Sequence, residues 1–80
     1  MLDADTLSLV RRAYAKVDLA QIYSPDGPTA RSAREVEAAH RLFHQAHESR
    51  PGDAPVRAAY NYYTGLSWWF SVTASETEQR

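Results

Sequence analysis

Apolar residues recur at helical spacing in three stretches of similar length, separated by two clusters of turn formers, Ser24 to Pro28 and Arg50 to Pro55. In the first stretch Leu7, Val10, Tyr14 and Val17 follow one another at spacings of three and four, while Arg11, Arg12, Lys16 and Asp18 fall mostly elsewhere on the helical projection. This predicts a helix over roughly 4–22, with Asp3 or Asp5 as its cap and Ile22 and Tyr23 either continuing it or packing as a short extension. In the second stretch Val36, Ala39, Phe43 and Ala46 form the stripe, with Leu42 on its shoulder. Alanine, glutamate, arginine and leucine favour a helix over 30–49. Ser32 followed by Glu35 has the form of a capping box, Thr29 competes as the cap, and Pro51 and Gly52 stop the helix after Arg50.

The third stretch supports two patterns. Asp53 caps and Pro55 fits a first turn, after which Val56, Tyr60, Tyr63 and Phe70 share a helical face with Ala59 and Leu66 beside them. That predicts a helix over 54–74 followed by a polar tail, 75–80. Yet Leu66, Trp68, Phe70 and Val72 also alternate with Ser67, Ser71 and Thr73, broken only by Trp69, and Gly65 suits a helix end. The favoured reading is all-α, a small three-helix bundle in a single domain spanning 1–80. Its alternative is an α+β fold with a short C-terminal strand after Gly65, paired across a dimer because no other segment reads as a strand.

Composition narrows the chemistry. Eighty residues at 44% hydrophobic and 24% charged describe one soluble domain close to the lower size limit for a self-sufficient core, a problem that self-association relieves. The alanine- and arginine-rich composition resembles that of chains from high-GC bacteria or their phages, a likeness of composition and not of descent. There is no cysteine, which removes disulfides, thiol catalysis and cysteine zinc sites. A net charge of -1 supplies no field to gather nucleic acid or an anionic membrane. The acidic N-terminus lacks a signal-peptide pattern, and the uncharged stretch near the C-terminus carries too many hydroxyls to span a bilayer. A cytoplasmic, non-membrane protein is expected. No nucleophile elbow or phosphate loop is present, so the expectation is a non-enzyme.

Two side-chain groups on the second helix invite a ligand. His40, His44 and His47 lie close together on the helical projection, with Glu37 before and Glu48 after, and Glu37 to His40 has the Glu-x-x-His form of di-iron bundles. This set suits a divalent metal, or a response to pH near 6. The competing reading is structural: the histidines border the apolar stripe, where an imidazole packs its ring and wets its nitrogen. Arg31, Arg34 and Arg41 project outward and would contact phosphates in a nucleic-acid reading. Glu35, Glu37 and Glu48 interrupt that patch, which favours a solvated, ion-paired face.

The densest signal lies between Tyr60 and Val72, which hold six of the chain's nine aromatic residues, with no charge from Ala58 to Ser75. On a helix Tyr63 and Phe70 join the core stripe, Tyr62 and Trp69 share a shoulder, and Trp68 falls on the opposite flank. Either this is simply the most buried helix, or its outer rings anchor a contact, since tyrosine and tryptophan are enriched at binding hot spots. The expected function is a small protein-binding module, a regulator, adaptor or inhibitor that engages its own copy or another protein. Tyr62, Trp68 and Trp69 would make the contact and Tyr63 and Phe70 would support it from the core. No cofactor is expected unless the histidines hold a metal.

Overall fold

A computed structural model describes residues 2–22, 25 and 27–79, with 76–79 described by backbone alone. It contains three helices and, among the described residues, no strand: α1 (Ala4–Ala20), α2 (Ala30–Ser49) and α3 (Ala54–Gln79). The bundle is all-α, and α3 passes through Gly65 without interruption, which overturns the strand alternative. The physical reason is tertiary. Val56, Tyr63, Ser67, Phe70 and Ala74 are buried at spacings of three, four and seven, so this segment packs as a helix. Alternating Leu66, Trp68, Phe70 and Val72 onto one strand face would have pulled Phe70 out of that seam. α3 also runs on to Gln79, through most of the stretch expected to be a polar tail; its Glu and Gln are good helix formers, and no Gly or Pro interrupts them.

The caps show how the sequence sets the helix ends. Asp3 caps α1, its carboxylate accepting the Thr6 N–H at 3.2 Å and the Thr6 hydroxyl at 2.7 Å. α1 stops at Ala20, two residues short of the expected end, because Gln21 turns left-handed (φ 50°, ψ 54°). Its N–H then donates to the Asp18 carbonyl. Tyr23, Ser24 and Asp26 of the expected extension and turn lie outside the described residues. At α2 the cap is Thr29, and Ser32 takes the third helical position that the capping-box reading had given to Glu35. The Ser32 N–H donates to Thr29 Oγ1 at 3.1 Å and the Thr29 N–H donates to Ser32 Oγ at 2.7 Å. Glu35 instead faces Lys16 of α1 at 3.6 Å. Asp53 caps α3 by accepting the Val56 N–H at 3.0 Å.

α2 is the central element. α1 and α3 each pack along it and meet each other only marginally, which leaves a molecule 45 Å long and 18 × 15 Å in section. One core cluster gathers Ala13, Val17, Ala39, Leu42, Phe43 and Tyr63. A second, towards the other end, gathers Ala20, Ala33, Val36, Phe70 and Ala74. The alanines let the helix backbones approach, and Phe43 and Val36, both fully buried, fill what remains. Phe43 lies parallel to Tyr63 at 5.0 Å and takes the edge of Tyr14 at 5.1 Å. At one end Arg50, the residue that closes α2, donates its Nε to Asp3 Oδ1 at 2.8 Å, tying the end of α2 to the start of α1. The Thr6 hydroxyl, then the Arg50 guanidinium and the Thr6 N–H hold the Asp3 carboxyl far below the usual carboxylate range.

Candidate protein-binding face

Because α3 touches α2 along one side only, its remaining surface is open. Tyr63 and Phe70 point inward, at 8% and 3% exposure. Tyr62, Trp68 and Trp69 point outward, at 54%, 67% and 49%. The inner rings brace the outer ones. Tyr62 stands edge-on to Tyr63 at 4.9 Å, and Trp69 meets Phe70 at 5.6 Å with the planes inclined at 62°. Buried neighbours thus limit the rotamers of two exposed rings, which lowers the entropy lost when such a ring is immobilised in a contact.

The line directly opposite the core carries Ala58, Asn61, Gly65, Trp68, Val72 and Ser75, all exposed. Tyr62 and Trp69 flank this line on the side towards α1; Thr64 and Ser71 flank it on the other. Gly65 sits at mid-length, and a Cβ built there would meet nothing within 4 Å. The face therefore presents a backbone hollow beside one indole and two further rings beyond it. It carries no charge. Burying such a surface costs none of the desolvation that ions impose, which is the composition of an interface centre.

Sequence reasoning placed Tyr14 in the core stripe, but it is 48% exposed. The cause is the gap between α1 and α3. Tyr14 lies over Phe43 and stands edge-on to Tyr63 at 6.5 Å, and with Val10, Val56 and Ala59 it lines an apolar groove of about 330 Å³. The groove lies where α1 and α3, both packed on α2, meet each other only marginally. Periodicity holds no signal for it.

The three histidines are gathered, but around a tyrosine. His40, His44 and His47 each stack on the Tyr60 ring, with centroids 5.5, 5.3 and 5.1 Å away. His44 also places Nε2 2.9 Å from Glu48 Oε1, while Glu37 pairs with Arg41 at 2.8 Å and not with an imidazole. The metal set of His40, His44, His47 and Glu37 is thus not assembled. Among the described residues no three His, Asp or Glu side chains are arranged to hold an ion. Burial, and secondarily the neighbouring His44, hold the His40 pKa below its ordinary value, so its ring is a neutral packing surface at neutral pH. Tyr60 had been read as part of the core stripe; its role as the partner of all three imidazoles follows only from the seating of α3 on α2.

Arg31, Arg34 and Arg41 are exposed on α2, as expected. Glu37 pairs with Arg41, which breaks the run of positive charge between them and the rest of the helix. Among the described residues no helix is long and apolar enough to cross a membrane. No family model, no curated protein and no solved structure matches this chain.

Proposed function

We propose that this chain is a small non-catalytic protein-binding module, acting as a regulator, adaptor or inhibitor by occupying a partner surface through the outward face of α3. One observation carries the reading. Two adjacent tryptophans and a tyrosine, each about half exposed or more, stand on an uncharged helix whose buried rings brace them. Lone exposed apolar residues need no explanation, but three aromatic rings in one uncharged face mark a contact surface.

The test separates binding from folding. Trp68→Ala and Trp69→Ala, singly and together, are compared with the parent chain by thermal unfolding and by capture of interacting proteins under identical conditions. The module reading expects variants that still fold, with Trp68→Ala melting close to the parent and Trp69→Ala and the double variant melting lower, and that lose the captured species. If the double variant fails to fold, the rings are structural and the reading is wrong. If a folded double variant captures the same species, the contact lies elsewhere.

A further inference from the structure

We infer that the occupant of this face is a second copy of the chain, its α3 running antiparallel to the first about a two-fold axis near positions 66 and 67. The inference rests on the protein-binding reading and assigns the partner.

Self-complementarity is the first argument. In an isologous contact each residue of the patch meets another residue of the same patch, so a charged face repels itself unless its signs alternate. Between Ala58 and Ser75 there is no charge to repel. The outward line Ala58, Asn61, Gly65, Trp68, Val72 and Ser75 has the alternating three- and four-residue spacing of a two-helix seam. An antiparallel register centred between 66 and 67 pairs Gly65 with Trp68 of the second copy, Asn61 with Val72, and Ala58 with Ser75. Each indole, the largest knob, then meets the one position with no side chain, and the two-fold axis makes that contact twice. No parallel register does this, because a parallel pair in register sets Trp68 against Trp68 and Gly65 against Gly65.

The flanks supply the second argument. In an antiparallel helix pair, positions on the same side of the seam face each other. On the side towards α1, Tyr62 meets Trp69 of the second copy, again twice. On the other side, Thr64 meets Ser71 of the second copy, so hydroxyls face hydroxyls and no charge is buried. Rings thus face rings on one side of the seam and hydroxyls face hydroxyls on the other, a match that the two-fold axis makes twice.

Area is the third. The seam from Ala58 to Ser75 runs about 26 Å along the helix. Three rings of roughly 150–250 Å², exposed by half to two-thirds, contribute about 350 Å² per copy. With the rest of the seam and the flanks this approaches the roughly 600–800 Å² per partner of the smaller stable interfaces. The expected result is a reversible dimer with a dissociation constant near the micromolar range.

The experiment is sedimentation equilibrium over a micromolar to submillimolar concentration series. It compares the parent chain, Asn61→Lys, Val72→Glu and the double variant, with Arg12→Glu on the exposed side of α1 as a charge control, and records acrylamide quenching of tryptophan on each sample. The inference expects a dimer for the parent and Arg12→Glu, and association weakened about tenfold or more by each single charge on α3, which enters the seam opposite an uncharged residue. The double variant recovers most of the lost affinity, since the antiparallel register sets position 61 opposite position 72 with opposite charges, whereas a parallel pair in register sets like charges together. Single charges that leave the dimer unchanged, or a double variant that binds no better than the single ones, overturn the antiparallel register. A parent that stays monomeric throughout overturns the second copy as occupant. In that case freely quenched tryptophans leave the binding face standing for a different protein, and protected tryptophans remove the face as well.

Discussion

Trp68, Trp69 and Phe70 are consecutive, aromatic and helical, yet the structure sets them in three environments, so truncating each to alanine has three different costs. Phe70 is 3% exposed and packs among Ala20, Ala33, Val36 and Ala74 where α3 crosses α2. Removing its ring opens a cavity flanked mainly by alanine methyls too short to fill it, and the cost is about 3–5 kcal/mol. Trp69 is 49% exposed and rests on the Phe70 ring. Burial of about half its surface, at roughly 25 cal/mol per Å² and discounted for what the unfolded chain already covers, gives about 1–2 kcal/mol. Trp68 is 67% exposed, so by the same conversion its loss costs about 1 kcal/mol. A chain of this length has a total stability of about 4–12 kcal/mol. Phe70→Ala therefore removes about a quarter of it or more, and Trp68→Ala leaves most of it. The assay is urea unfolding followed by circular dichroism, at a concentration low enough that association contributes nothing. With a slope near 1 kcal/mol per molar urea, the midpoint falls by about 3 M or more for Phe70→Ala and by about 1 M for Trp68→Ala. A Trp68→Ala midpoint shift matching that of Phe70→Ala would refute the argument, because Trp68 would then be a core residue and the outward face of α3 would not exist.

Gly65→Ala should raise the stability of the isolated chain by about 0.5–1 kcal/mol in the same urea assay, since the new methyl meets nothing and the helix gains propensity. The pH dependence has two separate windows. His40 has a folded-state pKa below its unfolded value of 6.5, so the unfolded chain binds the extra proton first. Stability is therefore present above about pH 6.5 and falls as the pH drops through the window below it, and His40→Gln should flatten the melting temperature profile between about pH 7.5 and 5. Asp3 has a depressed pKa, so its contribution is present above about pH 4 and disappears on further acidification. Asp3→Asn keeps a capping side chain but not the charge facing Arg50, and its acid unfolding should begin from a lower plateau and lose less between about pH 4 and 2.

Much of this molecule is written in its local pattern. The spacing of Val36, Ala39, Phe43 and Ala46 defines the buried stripe of α2 without reference to any neighbour, and Asp3, Asp53 and Pro51 mark helix ends by chemistry that acts within a few residues. The outward setting of Tyr62, Trp68 and Trp69 against the inward Tyr63 and Phe70 is equally local, because it follows from the helical repeat once the segment is helical. That condition is where local information ran out. The run from Leu66 to Val72 satisfies helical and alternating patterns alike, and the seating of Tyr63, Ser67, Phe70 and Ala74 on α2 chose between them. Thr29 and Ser32 offered two caps of similar merit, and the turn into α2 selected Thr29.

Other features have no local pattern at all. The stacking of His40, His44 and His47 on Tyr60, the bond from Arg50 to Asp3, and the groove under Tyr14 all join residues from separate helices. The sequence by itself determined the first two helices, the inner stripe of α2 and the uncharged aromatic character of the third segment, but not the helical course of that segment past Gly65. Tertiary structure alone decided which stripes are covered, since coverage depends on where the other two helices lie. With α1 and α3 both packed on α2 and barely on each other, one stripe of α3 found a neighbour and the opposite one did not.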